Sequence, residues 1–301
     1  MPRTFVIASI ASLAVLLSAC SPLRVLNTVV PDDSYVAHRD IAYGPAERQA
    51  LNVYTPTDAQ DRSTGPVPVV VFFYGGSWKF GQREQYAFVA EAITARGYVA
   101  VVPDYRVYPD VTFPAFVEDG ASVLAWTRDH IAAYGGDPDR IYLMGHSAGA
   151  YITAHLSLDH RYLAAQNMSP EIIRAMVGIA GPYAFDPMKY KSVRPIFADH
   201  PDPEDWRPIN FADASAPPML LIHGGDDGTV YPANSRGLAA KIEAAGGEAR
   251  YVEIPDTGHI AVVLALAKPF RKEGGIYDTT MSFIDAQENT DGADIAAAAS
   301  P

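Results

Sequence analysis

The sequence predicts an α/β fold: a mostly parallel central sheet flanked by helices. Three observations carry this. Short, nearly all-apolar runs rich in β-formers recur along the chain, helix-compatible stretches separate them, and glycine pairs close two of those stretches before the next strand. The 301 residues are 49% hydrophobic and 19% charged, enough apolar material for one large core.

In chain order, residues 37–43 and 51–54 predict an antiparallel hairpin at the sheet edge. The apolar runs at 67–73, 98–102, 141–144, 175–179, 219–222 and 249–254 predict the remaining strands. Their continuity, rather than alternation, is what strands covered on both faces require. Helices are predicted over 84–96, 115–134, 148–158, 232–245 and 260–267, with Gly135-Gly136 and Gly246-Gly247 as C-terminal stops. No internal repeat is visible.

The formal net charge of -12 argues against a nucleic-acid partner, which would need a basic surface. With a single cysteine, Cys20, the chain can form no intrachain disulfide and no Cys-based zinc site. Cys20 closes an apolar run over residues 5–19 that follows Arg3 and is too short to span a bilayer, which takes about 20 residues. This segment resembles a bacterial lipoprotein signal. The resemblance implies cleavage after residue 19, a lipid on Cys20 and a place in the cell envelope, with Ser21 favouring the outer membrane. Residues 20–34 then read as a tether, 35–286 as the folded domain and 287–301 as a disordered tail.

The strongest chemical signal is Gly145-His146-Ser147-Ala148-Gly149, placed between an apolar strand and a helical run. A serine hydroxyl is a weak nucleophile, and a sharp strand-turn-helix corner exposes it to a base and a substrate. The alternative is a glycine-lined turn without chemistry. Partners are sought downstream in the order acid, then histidine. The loop His223-Gly224-Gly225-Asp226-Asp227 offers two adjacent acids, of which Asp227 is preferred and Asp226 kept open; His259 stands one strand further on, before a helix. His155 and His160 lack the spacing of a zinc pair, and the remaining histidines read as structural or solvent-facing. The glycine turn Tyr74-Gly75-Gly76-Ser77-Trp78 follows the strand 67–73 and suits an oxyanion site made by the amides of Gly76, Ser77 and Ala148.

Together with Pro103-Asp104-Tyr105-Arg106 and Gly135-Gly136-Asp137-Pro138, these motifs resemble the α/β-hydrolase superfamily over about residues 35–285. The nearest likeness is to carboxylesterases related to hormone-sensitive lipase, prenylcysteine methylesterases and kynurenine formamidases. The acid-loop spacing through Val230 and Pro232 is similar to that of the superfamily, which favours Asp227. One departure stands out: Tyr74 occupies the position where the family usually carries histidine. The resemblance implies a serine carboxylesterase working through Ser147, His259 and Asp227 on a small-molecule ester, with no organic cofactor and no metal. The alternatives are an amidase or formamidase using the same residues, and a non-catalytic envelope lipoprotein.

The resemblance implies a small cap insertion, expected at about residues 183–216, and Pro187, Pro195, Pro201, Pro203 and Pro208 forbid a continuous amphipathic lid helix there. A fixed cap predicts short acyl groups. Phe185, Tyr190, Phe197 and Trp206, with Trp78 and Tyr105, are the candidate pocket aromatics, the alternative for each being core.

Overall fold

The computed structural model describes Asn27 and residues 33–57 and 65–298. Cys20 and the expected signal segment lie outside these residues.

The described chain builds one eight-stranded sheet: β1 (Tyr35–Ala42), β2 (Ala50–Pro56), β3 (Val67–Phe73), β4 (Val99–Pro103), β5 (Gly136–His146), β6 (Ile173–Ile179), β7 (Met219–Gly224) and β8 (Ala249–Ile254). Their spatial order is β1-β2-β4-β3-β5-β6-β7-β8. The two pairings of β2 are antiparallel, and every pairing from β4 to β8 is parallel. The first hairpin therefore caps one edge, as expected, and helices cover the parallel part. This is the α/β-hydrolase fold.

Burial explains which strands could be read. Val69 to Phe73, Val99 to Val102 and Ile141 to Met144 are all fully buried. By contrast, β8 lies at the sheet edge and is mostly half-exposed. β5 begins five residues before its apolar run, because Gly136 pairs with Val67 ahead of a bulge in that ladder.

The longer helices are α1 (Ala87–Thr94), α2 (Ala115–His130), α3 (Ala148–Leu158), α4 (Ala233–Ala244) and α5 (Ile276–Ala298). Every residue of α3 is buried. The helix expected over 260–267 is a single turn, Ala261–Leu264. Residues 287–298, expected as an irregular tail, instead continue α5. Alanine-rich sequence favours helix, and Glu288 docks the helix on the sheet by accepting from Arg140 Nη1 at 2.8 Å and Tyr142 Oη at 2.5 Å. No helix of the described residues is long and apolar enough to cross a membrane.

The chain winds outward from β3 in both directions, with β4 on one side and β5 on the other. Such a reversal opens a crevice at the carboxyl ends of the strands. The loops after β3, β5, β7 and β8 carry the site residues predicted from sequence.

Candidate active site

β5 ends on His146, and the next residue, Ser147, turns at φ 54, ψ -119 straight into α3. A non-glycine residue in such a region costs about 1–3 kcal/mol. The corner is held by Ser147 N donating to Ile179 O at 2.9 Å and Tyr151 N donating to Ser147 O at 3.1 Å. Gly149 lets the helix press against β3, since a Cβ there would lie 2.0 Å from the Phe73 carbonyl oxygen.

His259 bridges the serine and the acid. Its Nε2 is 2.8 Å from Ser147 Oγ and its Nδ1 is 2.6 Å from Asp227 Oδ2. Asp227 is buried, whereas Asp226 is exposed. The buried carboxylate also takes the amides of Thr229 and Val230 on Oδ1, both at 2.9 Å. The turn that presents the acid thus closes around it.

Two further histidines stand against this pair, neither of them among the site residues that the sequence predicts. His146 Nε2 lies 3.0 Å from the backbone oxygen of His259, and the two rings are 4.9 Å apart. Burial holds the His146 imidazole down to about pKa 3, with the neighbouring His259 adding to the effect. His223 Nε2 lies 2.8 Å from Val230 O and 3.2 Å from Asp227 Oδ2, and its Nδ1 lies 2.7 Å from Ser235 Oγ. Burial lowers its pKa as well. Their places inside the serine and acid motifs were the only signal in the sequence.

The turn after β3 bends through three successive residues of positive φ: Gly76 at 145°, Ser77 at 53° and Trp78 at 57°. A Cβ on Gly76 would meet Phe80 O at 2.1 Å, so only glycine fits. Ser77 and Ala148 line the cavity beside Ser147. Ala148 opens α3, so its amide has no partner within the helix.

Beneath this turn lies a polar network. Tyr74, in place of the family's histidine, donates its hydroxyl to Asp104 Oδ1 and accepts from Arg48 Nη2 at 2.9 Å. Arg83 N reaches the same carboxylate at 2.8 Å. Tyr105 corrects the expectation of a pocket wall: its ring is fully buried, stacks on Tyr74 at 5.0 Å and donates to Tyr74 O at 2.9 Å. It supports the turn from below.

The cavity over Ser147 has a volume of about 150 Å³ and opens to solvent; Trp78, Phe185, Tyr190, Val193 and Tyr231 are among its walls. Among the described residues no charged side chain lines it. Of the insertion aromatics, Phe185 and Tyr190 reach it. Phe197 and Trp206 do not: both are buried in the core, where Trp206 O accepts from Tyr151 Oη at 2.7 Å. The insertion consists of short turns, at Pro187–Lys189, Arg194–Phe197, Pro203–Trp206 and Pro208–Phe211, each with proline in its first turn.

Fold and corner together define a member of the α/β-hydrolases with a serine at its strand-to-helix turn. The chain belongs to the BD-FAE family, whose model matches residues 51–242. It is 31% identical over 260 residues to a probable isoprenylcysteine alpha-carbonyl methylesterase, ICMEL1, of Arabidopsis thaliana, covering 79% of this chain and 53% of that protein. Over 246 residues it is 32% identical to Esterase LipC of Mycobacterium tuberculosis, covering 75% and 60%. The chain thus spans between half and two thirds of these relatives' length. Among solved structures it resembles Esterase B from Lactobacillus rhamnosis at a TM-score of 0.77 and 18% identity, covering 96% of this chain and 97% of that one. A carbohydrate esterase from gut microbiota gives 0.72 at 19% identity, covering 86% and 99%. At these identities the structural likeness bears on fold.

Proposed function

We propose that this protein is a serine carboxylesterase that hydrolyses short-chain carboxylic esters through an acyl-enzyme. The observation that carries the reading is the position of His259, within hydrogen-bond reach of both Ser147 Oγ and the buried Asp227 carboxylate. Esterase names among the relatives favour ester over amide.

In the first step His259 Nε2 removes the Ser147 proton as Oγ bonds to the ester carbonyl carbon. The carbonyl oxygen becomes an anion and is received by the amides of Gly76, Ser77 and Ala148. Collapse breaks the bond to the alcohol, which leaves with the proton held by His259. Water then repeats the sequence on the acyl-serine, releasing the acid and restoring Ser147. Asp227 holds the imidazole in the Nδ1–H tautomer and offsets the charge it acquires. The limited cavity walled by Trp78 and Phe185 supports short acyl groups.

A fluorophosphonate should label wild type at Ser147 and leave Ser147→Ala unlabelled. Aryl esters should turn over faster than formyl anilides in the same panel. Absence of Ser147 labelling would overturn the enzyme reading, and faster anilide cleavage would replace it with an amidase.

A further inference from the structure

Neither His146 nor His223 lines the cavity over Ser147, and both are buried, His146 at 2% and His223 at 0% exposure. Their ring nitrogens can be assigned from their neighbours. A carbonyl oxygen only accepts, so the His146 Nε2 that faces His259 O carries the proton. Its Nδ1 lies against the backbone of the turn after β3, where a Cβ on Gly75 would approach it to 3.0 Å. In His223 the same logic applies: Nε2 faces the Val230 carbonyl and the Asp227 carboxylate, so it carries the proton, and Nδ1 accepts from the Ser235 hydroxyl. Both rings are thus neutral Nε2–H donors.

We propose that His146 and His223 are positioning residues that hold the Asp227–His259 pair at its two ends, His146 through the backbone of the base and His223 through the carboxylate. This rests on the esterase reading above and adds to it. Asp227 then receives the amides of Thr229 and Val230 on Oδ1 and His259 Nδ1 on Oδ2, while His223 Nε2, whose proton goes to Val230 O, stands 3.2 Å from the same Oδ2. Its rotation is fixed, and His259 Nδ1 meets one defined acceptor. A neutral His223 suits this role, because a cationic one would compete with the imidazolium of His259 for the same oxygen. His146 fixes the other variable, the height of the His259 backbone over Ser147. Being also in contact with Gly75, it sets the base and the oxyanion turn against a single buried ring.

The test is hydrolysis of a soluble aryl acetate by His146→Leu, His146→Gln, His223→Leu and His223→Gln, beside wild type and Ser147→Ala. Glutamine places an amide N–H near the reach of Nε2, whereas leucine keeps bulk and loses the donor. Each leucine variant should lower kcat about tenfold, the worth of one misplaced hydrogen bond, with KM within twofold. The acid limb of its pH profile for kcat/KM should also move, and each glutamine variant should recover most of the loss. If a leucine variant fails to fold, His146→Asn, too short to reach the carbonyl, and Ser235→Ala, which frees the His223 tautomer, carry the same expectation of lowered kcat at constant KM. Leucine variants that keep more than half of wild-type kcat, or glutamine variants that lose as much as leucine, would overturn the proposal while leaving the esterase reading intact. A wild type that neither turns over the ester nor takes label at Ser147 would sink both.

Discussion

The indole of Trp78 lies parallel to the ring of Phe185, with centroids 5.7 Å apart at an interplanar angle of 15°. The turn after β3 and the insertion thereby meet as one aromatic wall across the cavity. Phe116 stacks on Trp78 from another side at 5.8 Å, and Phe197 meets it edge-on at 5.1 Å. A wall so supported does not yield to a long acyl chain.

Nitrophenyl esters should therefore show their highest kcat/KM between acetyl and hexanoyl, falling steeply beyond. Each fitted methylene adds about 0.8 kcal/mol only until the wall is reached. Phe185→Ala should move the optimum outward and raise octanoyl over butanoyl selectivity about tenfold. With no charge in the lining, succinyl esters should react poorly at every length. A palmitoyl optimum in wild type would contradict the wall.

Strain at the serine corner separates activity from stability. Ser147→Ala and His259→Ala should each remove nearly all ester turnover while circular dichroism stays unchanged. Ser147→Gly should be equally inactive yet more stable than wild type by about 1 kcal/mol, because glycine relieves the positive φ of 54°. Urea unfolding measures this; a glycine variant less stable than the alanine variant would contradict it.

The adjacent acids should differ sharply. Asp227→Asn should lower kcat by orders of magnitude, since the amide breaks the pairing with His259 Nδ1, and Asp226→Asn should act weakly from its exposed position. Equal losses would mean that the loop, not the carboxylate, is what matters.

Acid stability should depend on His155. Its ring is fully buried among Phe113, Tyr151, Tyr162 and Phe211, and burial lowers its pKa from 6.5 to about 3. The unfolded chain then binds a proton below pH 6.5 that the folded chain refuses until about pH 3, so stability falls as pH drops through that window. His155 alone accounts for about 2 kcal/mol between pH 7.5 and 5. His155→Leu should make that part of the curve shallower in urea titrations, with His146, also held down to about 3 by burial, keeping a share of the slope. A parallel curve would show that His155 takes its proton in the folded state.

The lipid anchor proposed at Cys20 predicts that wild type takes up labelled palmitate and fractionates with membranes, while Cys20→Ala does neither and keeps its intrinsic turnover. Unlabelled wild type with unchanged membrane retention of the variant would end that proposal.

Much of this was legible because burial and chemistry leave linear traces. Residues 67–73 and 141–144 read as strands since both faces are covered, and Ser147, Asp227 and His259 stand after β5, β7 and β8 in the order of the proposed triad. Other features depend on distant partners. The first residues of β5 are strand only because Val67 is beside them, and nothing near Tyr105 or Trp206 in sequence tells a core ring from a cavity ring. His223 stands near the end of the buried strand β7, and its approach to Asp227 exists only once the following loop closes. The helix past Gln287 is not legible because its alanines lack amphipathic spacing, while Glu288 docks by polar bonds.

The turn after β3 is fastened at both ends. Tyr74 is tied below to Asp104 and, through it, to Arg83, while the Lys79 ammonium donates to the carbonyl of Ser192 in the insertion above. Specificity engineering inherits this linkage. An insertion transplanted from a relative as a cassette over residues 183–216 would arrive without its counterpart, leaving Lys79 and Trp78 facing foreign backbone and the turn after β3 free to relax. The exchangeable unit is discontinuous, residues 77–80 together with 183–197. Libraries that recombine both segments from one parent should retain function where those that cross over between them lose it.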